Sequence, residues 1–469
     1  DGTTVPPEEF TARDVKFTFD CILNNYTEAA SLRSYYQDEA IEGDEKSRIE
    51  EETPDKYTVI IRWKTPYFMH DIFTLGAGIM PRHIYGNDEK GEPISFDYRS
   101  KEFADGFNEH WANSTMCGTG PMIFKEWKKG ERALLERNPD YWGEPFYFSK
   151  IVYQHITNPT TAKEKLLQNE LDWGSIVQKN QYIEAKDHPN VRSGKVLLKE
   201  FQTTSYRYLG WNMKRDLFAD ANVRMALSHA VPVQVFIDDV FYGLARRVNG
   251  PFVPDSPYSS PLVEPVSFDL DKAKEMLEAA GWVDTNESGT RDKMINGKLV
   301  EFKFVLMIFS DAPSFQTMAE IIQENFRKIG VQVEITPTKW ALMLQNLKKK
   351  SFDATILGWS ADWKSDPYQI WHSSQADLAD SSNAIVYKNA EVDALIEELH
   401  VTVNEEKQVE IYQKIHKHIF DDQPYTFLFA EKSTAALDSR ITNWNSYSKL
   451  RPHVQAREWH ATKARVLGQ

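Results

Sequence analysis

Between residues 301 and 357 the chain reads EFKFVLMIFSDAPSFQTMAEIIQENFRKIGVQVEITPTKWALMLQNLKKKSFDATIL. Apolar runs of strand length alternate there with stretches in which apolar residues recur at helical spacing. The predicted elements are strands at 301–309, 331–336 and 352–357 and helices at 313–329 and 339–349. Because strands joined by helical crossovers pair in parallel with right-handed connections, this order predicts an α/β sheet.

The segment after the third strand, GWSADWKSDPY at 358–368, brings two Trp, one Tyr and two Asp within eleven residues. Ligands of open α/β sheets bind beyond the carboxyl ends of the strands, which is where this segment starts. Indole faces supply apolar walls and a carboxylate supplies one fixed charge, which suits a small cationic or hydroxylated ligand. A surface loop whose aromatic side chains cover the sheet edge is the alternative, and the spacing alone favours neither.

The composition of the whole chain limits the classes of protein to consider. Its 469 residues correspond to about three structural units of ~150 residues each. A hydrophobic fraction of 41% with 13% aromatic residues excludes intrinsic disorder. The 55 basic and 69 acidic residues give a net charge of −14, which argues against a nucleic-acid-binding protein and favours solubility. The longest apolar runs, such as 302–309, are far shorter than the ~20 residues of a membrane-spanning helix.

Motifs for the common catalytic and cofactor sites are absent from the sequence. The G-x-G at 118–120 lacks the third glycine of a dinucleotide-binding fingerprint, and no P-loop, G-x-S-x-G elbow or H-E-x-x-H occurs. His416 and His418 lie two apart on a predicted helix, so they point to different faces and are interpreted as a solvated surface pair. Cys21 and Cys117 are too few for a disulfide framework or a zinc site, and one bridge or two free thiols both remain open. The sequence therefore predicts neither a metal site nor a cofactor, and it gives no support for catalysis.

Short motifs follow one another along the chain in an order that is typical of one protein family. They are DG at 1–2 with TARDVKFT at 11–18, MPRHI at 80–84, GTGP at 118–121, RNPDYW at 137–142, WN at 211–212 with NVRMALSHA at 222–230, and a segment from KA at 272–273 to AGW at 280–282. These segments resemble those of the family 5 extracellular solute-binding proteins of ABC importers, the oligopeptide and dipeptide receptors. The resemblance covers essentially the whole chain.

The resemblance implies an α/β receptor with the two-lobed periplasmic-binding-protein fold, with mixed sheets and a hinge, of the type II or cluster C kind. It implies a partial outer subdomain of lobe I at 1–115, the lobe I core at 116–205, lobe II at 206–424 and a return to lobe I at 425–469. The dipeptide Asp1-Gly2 is typical of a hairpin turn. We therefore expect an N-terminally truncated chain, in which the signal sequence and the first strands of lobe I are missing.

The resemblance also implies a function and a set of partners. It implies a receptor without catalytic activity that captures peptides between its lobes and delivers them to the permease subunits of an ABC transporter. The implied location is the periplasm or the extracytoplasmic face of a bacterial cell membrane, with either a free or a lipid-anchored chain. We expect a monomer that uses no cofactor and binds no nucleic acid.

In peptide receptors of this family, an acidic residue in the segment that matches 358–367 pairs with the α-ammonium of the peptide, and Asp362 occupies that place here. Burial of a peptide amine without a nearby carboxylate is costly, which independently favours this role. Arg207 is interpreted as a surface or structural residue rather than as the partner of a ligand carboxylate. The remaining residues expected to form the pocket walls and to offer hydroxyl groups are Trp359, Trp363, Tyr206, Tyr208 and Tyr368.

Several positions depart from the pattern of the family. Met122 and Pro232 replace the usual Tyr and Asp, and we expect these changes to affect packing. Trp363 stands where many relatives carry Tyr or Asn, and because indole rings stack on sugars, an oligosaccharide receptor of the same fold is the first alternative. A hydrolase that uses Asp362 and Asp366 as paired carboxylates is a distant alternative, because nothing in the sequence assigns a separate acid and base.

Overall fold

A computed structural model of the chain describes residues 8–33, 35–37, 47–114, 117–253, 255–360, 364–378, 381–444 and 459–462. These residues form two compact units. The first unit contains the described residues up to Thr157 together with His400–Val403 and Trp459–Ala461, and the second begins at Asn158 and contains the remainder.

The first unit is built from short helices and antiparallel strands. Its helices are α1 (Ala12–Leu23), α2 (Ala30–Arg33), α3 (His70–Gly76), α4 (Arg82–Tyr85) and α5 (Lys101–Asn108), and its strands are β1 (Ile49–Glu52), β2 (Ile60–Trp63), β3 (Met122–Lys128), β4 (Arg132–Arg137) and β5 (Lys150–Gln154). β1 pairs with β2, and β3, β4 and β5 form a three-stranded sheet in that order. The turns at 118–121 and 128–130 and the apolar residues beside them predict strands at 122–127 and 132–137, with another at 151–156, and the structure confirms all three.

Helix α1 begins at a reciprocal cap. The backbone N–H of Thr11 donates to Asp14 Oδ2 at 2.8 Å, and Thr11 Oγ1 accepts from the N–H of Arg13 at 3.3 Å. The amphipathic stretch at 10–24 predicts a helix with Thr11 as its N-cap. This capping box satisfies backbone donors that have no partner inside the helix, and it confirms the prediction. The structure also resolves the alternatives for the cysteines, because Cys21 and Cys117 are both free.

The second unit carries the larger share of the secondary structure. Its helices are α6 (Pro159–Leu167), α7 (Lys179–Ala185), α8 (Pro189–Arg192), α9 (Ala221–His229), α10 (Val233–Val235), α11 (Leu270–Ala279), α12 (Pro313–Lys328), α13 (Trp340–Lys348), α14 (Tyr368–Trp371), α15 (Ala390–Val401) and α16 (Glu405–Asp422). Its strands are β6 (Trp173–Ser175), β7 (Val196–Gln202), β8 (Ser205–Trp211), β9 (Ala245–Arg247), β10 (Asp292–Ile295), β11 (Lys298–Glu301), β12 (Lys303–Phe309), β13 (Gln332–Thr338), β14 (Ala354–Ser360), β15 (Tyr425–Phe427), β16 (Phe429–Asp438) and β17 (Ile441–Thr442). A further short strand, β18 (His460–Ala461), lies near the end of the described chain.

Five strands of the second unit form one mixed sheet in the order β13-β12-β14-β8-β15. β12 runs parallel to both β13 and β14, whereas β8 runs antiparallel to β14 and β15. The parallel strands, with α12 and α13 between them, are the βαβαβ unit that the sequence predicts, so the α/β fold class is confirmed. β14 extends to Ser360, three residues beyond the predicted end, and so carries Trp359 within the sheet.

Helix α12 shows how this sheet is covered. Pro313 lies in its first turn, where backbone N–H groups have no partner inside the helix, so proline costs no hydrogen bond. Gly330 follows the end of the helix with φ +78°, a conformation that favours glycine. The buried face of the helix carries Phe315, Met318, Ala319, Ile322 and Phe326. Trp211 of β8 is fully buried against this face, with its ring stacked 6.3 Å from that of Phe326. Burial of each large apolar side chain of this kind contributes about 1.5–3 kcal/mol.

A second sheet is organised around β16. The order is β6-β16-β7, and β9 pairs with the first residues of β16. The apolar run at 425–430 predicts a single strand, and this prediction is wrong, because the chain leaves the five-stranded sheet after β15 and joins the second sheet at β16. Between β7 and β8 the chain passes in the opposite direction, from the second sheet to the five-stranded sheet. These two passages, at 202–205 and at 427–429, lie side by side. Thr203 Oγ1 donates to the carbonyl of Glu431 at 2.9 Å, and the N–H of Leu428 donates to the carbonyl of Arg207 at 3.0 Å.

His416 on α16 corrects another prediction, because its side chain is fully buried rather than solvated. Its Nδ1 accepts from the N–H of Ser260 at 2.8 Å, which leaves the proton on Nε2 to be donated to the carbonyl of Asn249 at 3.2 Å. Gly250 makes room for the ring, since a Cβ at that position would lie 1.9 Å from Nε2. The two-residue spacing of His416 and His418 places them on different faces of the helix, but it does not indicate which face is buried.

Candidate functional site

The carboxyl end of β14 lies beside an aromatic face of the five-stranded sheet. Strand register places Trp359 opposite Tyr206, and Phe427 opposite Tyr208, so these side chains share one face of the sheet with Tyr425. The alternate residues of β8, Leu209 and Trp211 among them, belong to the apolar core on the other face. The alternation of β8 therefore places its tyrosines on one face of the sheet and its core residues on the other.

The tyrosines of this face are closely packed. The rings of Tyr208 and Tyr425 stack at 3.7 Å, and that of Tyr206 lies 6.2 Å from Tyr208. Trp359 Nε1 donates to the hydroxyl of Tyr425 at 3.3 Å. Burial raises the pKa of the Tyr206 and Tyr208 hydroxyls well above the ordinary value, and it raises the pKa of Tyr425 to about 12. All three hydroxyls are therefore neutral hydrogen-bonding groups at physiological pH.

The structure brings three of the six predicted site residues together, namely Trp359, Tyr206 and Tyr208. Tyr206 and Tyr208 are buried, and Trp359 is half-buried. Tyr368 lies farther along the chain at the start of α14, where its ring stacks on that of His372 at 4.5 Å and its hydroxyl lies 3.0 Å from Ser374 Oγ. The other two predicted site residues, Asp362 and Trp363, lie outside the described residues.

A pocket of about 260 Å³ opens where the two passages between the sheets meet. Most of its lining is hydroxylated or charged. The lining residues are Ser175, Val177, Lys179, Thr203, Ser205, Tyr206, Arg207, Glu431, Lys432, Ser433 and Thr434. Ser205 Oγ lies 3.4 Å from Ser360 Oγ at the end of β14, so this pocket adjoins the strand end at which the sequence predicts ligand binding.

Arg207 is held in a fixed orientation beside this pocket. Its Nε donates to Glu431 Oε1 at 2.7 Å, and its guanidinium carbon lies 5.3 Å from the centre of the Phe315 ring. Gly358, its partner across the sheet, leaves the space that the group needs, because a Cβ there would lie 2.8 Å from Arg207 Nη1. The position is therefore structural, as expected from the sequence, and it also places a cation at the pocket.

Lys179 supplies a second cation to the lining of the pocket. Its Nζ donates to the carbonyl of Lys432 at 2.5 Å and lies 3.5 Å from Thr434 Oγ1. Desolvation is the largest influence on this ammonium and lowers its pKa, an effect that Glu431 opposes and Arg207 reinforces. Lys179, Arg207 and Glu431 thus act on one another electrostatically across the same small volume.

The chain matches a family of known proteins over most of its length. A family model described as bacterial extracellular solute-binding proteins, family 5 Middle, matches residues 1–379. The chain belongs to this family. The resemblance drawn from the sequence motifs is therefore confirmed, and with it the periplasmic-binding-protein fold.

Individual members of family 5 agree with this assignment. The chain is 29% identical over 453 residues to the oligopeptide-binding protein AppA of Bacillus subtilis (strain 168), which covers 94% of this chain and 76% of AppA. It is 24% identical over 396 residues to the probable D,D-dipeptide-binding periplasmic protein DdpA of Escherichia coli (strain K12), which covers 83% of this chain and 69% of DdpA. The structure of AppA from Bacillus subtilis in complex with a nonapeptide matches with a TM-score of 0.74 and 26% identity, over 98% of this chain and 86% of that one.

Two features are absent from the part of the chain that the structure describes. No group of three or more His, Cys, Asp or Glu residues is placed there to hold a metal ion. Within the same ranges, no helix combines the length and the apolar character that crossing a membrane requires.

Sequence reasoning did not single out Lys179 or Glu431, and it assigned Arg207 no place in the site. Lys179 begins a short helix and Glu431 lies in a strand more than 250 positions later, so only the tertiary pairing of β16 brings them together. One local signal was available for Arg207. In the alternating strand 205–211 this charged residue stands between two buried tyrosines, on the face that also carries the core residues Leu209 and Trp211, and a charge in such a place needs a partner.

Proposed function

We propose that this protein is an extracytoplasmic receptor that binds peptides and delivers them to the permease subunits of an ABC transporter. Membership of family 5 supports a solute-binding role, and the names of AppA and DdpA support peptides as the solute. The observation that carries the proposal is the pocket beside β14, where charged groups of both signs and several hydroxyls converge next to an aromatic face. A peptide presents the same combination of charges, amides and apolar side chains.

The residues proposed for the ligand follow the arrangement expected from the sequence. Asp362 is proposed to pair with the α-ammonium of the peptide, since an amine taken out of water needs a carboxylate. Trp359 and Trp363 are proposed to form apolar walls, with Tyr206, Tyr208 and Tyr368 as additional pocket residues. The assignment of 1–115 and 116–205 to lobe I, 206–424 to lobe II and 425–469 to a return into lobe I likewise remains a proposal.

The proposed receptor acts without chemistry, as a monomer in the periplasm or at the extracytoplasmic face of a bacterial membrane. Peptides recovered after prolonged incubation with the protein should therefore retain their full mass in a mass spectrum. A peptide shortened in proportion to the amount of receptor, in a preparation free of other proteases, would instead indicate a hydrolase.

An oligosaccharide receptor of the same fold is the second candidate. The half-buried indole of Trp359 favours it, because aromatic faces stack on sugar rings, and the hydroxyl-rich pocket nearby suits polar ligands. Peptides remain the first choice because Lys179 forms no ion pair with any residue that the structure describes, and a neutral sugar would leave this ammonium without a counter-ion.

A thermal-shift screen distinguishes the two candidates. A ligand that binds only the native state stabilises it by about 2.7 kcal/mol at a concentration 100 times its Kd. We expect di- to pentapeptides to raise the Tm and oligosaccharides to leave it unchanged. Asp362→Asn should abolish the shift produced by peptides, whereas Asp366→Asn, a matched change four residues away, should preserve it. A shift with sugars alone would refute the peptide proposal.

A further inference from the structure

The two ends of segment 358–368 are held by different parts of the second unit. Its first residues belong to β14, where Trp359 Nε1 donates to the hydroxyl of Tyr425 at 3.3 Å. Its last described residues, 364–368, lie beyond the strand and take part in no sheet. Contacts other than strand pairing must therefore hold this second part of the segment in place.

Tyr412 of α16 provides such a contact. Its hydroxyl donates to the carbonyl of Ser365 at 2.7 Å, and since a carbonyl oxygen can only accept, the phenol is the donor. The side chain is fully buried, and burial raises the pKa of the phenol well above its ordinary value, an effect that the nearby carboxylate of Asp366 reinforces. The hydroxyl therefore keeps its proton at physiological pH and remains a donor.

A proline-rich strap, formed by the described residues 250–253 and 255–261, holds the ring of Tyr412. The ring of Tyr258 lies 4.4 Å from that of Tyr412, and the ring of Phe252 stands edge-on to it at 5.5 Å. Close packing of this kind confines a side chain to one rotamer. The strap and α16 thus present the phenol hydroxyl at a fixed point.

The segment continues from Ser365 into a short ordered stretch. Asp366 Oδ1 accepts from the N–H of Tyr368 at 2.9 Å, and α14 begins at Tyr368. Trp371 of α14 packs edge-on against Tyr425 of the aromatic face, with ring centroids 5.0 Å apart. The bond to the Ser365 carbonyl therefore ties the start of this stretch to α16, while Trp371 ties its end to the aromatic face.

We propose that Tyr412 is a positioning residue for the stretch 364–368 and acts through its hydrogen bond to the Ser365 carbonyl. The inference rests on the proposed function, in which Tyr368 of this stretch is a pocket residue for the peptide. The buried phenol offers no surface to a ligand, so its influence passes through the stretch alone. A stretch that is ordered before the ligand arrives loses little conformational entropy on binding, so loss of the bond should weaken binding although no ligand contact is removed.

Hydrogen–deuterium exchange of the unliganded full chain tests the positioning step without any ligand. Tyr412→Phe keeps the ring and removes only the hydroxyl, so amides in fragments covering 364–372 should exchange about two- to ten-fold faster than in the wild type. The matched control is Tyr36→Phe in the first unit, because Tyr36 is also buried and donates to a backbone carbonyl, that of Phe73, at 2.8 Å. The control should leave exchange at 364–372 unchanged.

Calorimetric titration with trialanine and pentaalanine measures the consequence for the ligand. Tyr412→Phe should weaken the binding of these peptides about two- to ten-fold, which is the range that one net hydrogen bond supports. Tyr36→Phe loses the same kind of bond and should retain the wild-type affinities within about two-fold. Melting curves of the two variants show that a comparable loss of stability does not by itself weaken binding.

A second substitution carries the test if Tyr412→Phe does not fold. Asp366→Ala removes the acceptor of the Tyr368 N–H and so frees the same stretch from its other side. It should accelerate exchange at 364–372 and weaken peptide binding in the same direction. Asp366→Asn keeps an acceptor oxygen at this position and should restore both properties.

The results separate failure of the inference from failure of the proposed function. If the wild type binds peptides but Tyr412→Phe matches it in exchange or in affinity, the positioning role is refuted while the peptide receptor stands. If the wild type binds no peptide of any length, the proposed function is refuted. Faster exchange at 364–372 in Tyr412→Phe would then still support the positioning contact, and unchanged exchange would refute it as well.

Discussion

Lowering the pH should destabilise the protein through the buried imidazole of His416. Burial lowers the pKa of this group from 6.5 to about 4, and the hydrogen bond to the Asn249 carbonyl opposes that effect only in part. The imidazole is fully buried and Nδ1 already accepts from the Ser260 N–H, so a second proton would remove that bond and leave a charge without a counter-ion. The native state therefore keeps His416 neutral at pH values where the unfolded chain takes up a proton.

The sign and the size of the effect follow from this difference in proton binding. Above pH 6.5 both states are neutral and the group has no influence on stability. Between pH 6.5 and about 4 the unfolded state binds more protons, so the free energy of unfolding falls as the pH falls. A separation of roughly 2.5 pH units, at about 1.36 kcal/mol per unit, corresponds to a loss of about 3 kcal/mol by pH 4.

Urea denaturation of the wild type and of His416→Gln between pH 8 and pH 4 measures this loss. The variant should be less stable than the wild type at pH 8, because its side chain replaces one of two ring hydrogen bonds, and the difference should shrink by about 3 kcal/mol towards pH 4. Other titrating groups, including His229, are common to both proteins and cancel in the difference. The control His418→Gln removes a histidine from the more exposed face of α16. Its free energy of unfolding should fall between pH 8 and pH 4 by as much as that of the wild type. A stability difference between the wild type and His416→Gln that is independent of pH would refute the reasoning.

Two other substitutions probe the packing of the second unit. Gly250→Ala places a Cβ 1.9 Å from His416 Nε2 and should lower the free energy of unfolding by at least the roughly 1–3 kcal/mol that is typical of overpacking. The control is Gly118→Ala, because nothing lies within 4 Å of a Cβ at that position. Melting curves of the two variants measure the difference, and equal Tm values would contradict the prediction. Arg224→Lys should lower the free energy of unfolding by about 2–5 kcal/mol, because the buried guanidinium donates to four carbonyls, including that of Asp422 at the end of α16, and a lysine ammonium cannot reach all of them. Urea denaturation measures this loss. A loss below about 0.5 kcal/mol would show that these hydrogen bonds are dispensable.

The elements that sequence analysis predicts well are those fixed by local chemistry. Helix α12 has an apolar stripe, a proline in its first turn and a glycine after its end, and the structure places it at Pro313–Lys328, against a prediction of 313–329. The N-cap at Thr11 and the hairpin of β3 and β4 are similarly local, because a capping residue or a turn acts within a few positions of itself. Each of these elements carries its own signal in consecutive residues.

The elements that sequence analysis predicts poorly depend on distant pairing. The apolar run at 425–430 is continuous in sequence, yet it is divided between two sheets because β15 pairs with β8 while β16 pairs with β7. The burial of His416 depends on a glycine 166 positions away. The charged pocket requires β6, β8 and β16 to be in register, so no window of the sequence contains it.

The pocket also shows how the net charge of the chain and the charge of its site can differ in sign. The whole chain carries −14, which argues against polyanionic partners, whereas the pocket has more cations than carboxylates. At physiological ionic strength charges are screened over about 8 Å, so distant surface carboxylates contribute little inside the pocket, while Lys179 and Arg207 act there at close range. A small ligand with an anionic group can offset this local excess of positive charge, whereas an extended polyanion would also meet the negative net charge of the whole chain. The charge distribution thus favours a small anionic group over a macromolecular one, in agreement with the peptide receptor proposed above.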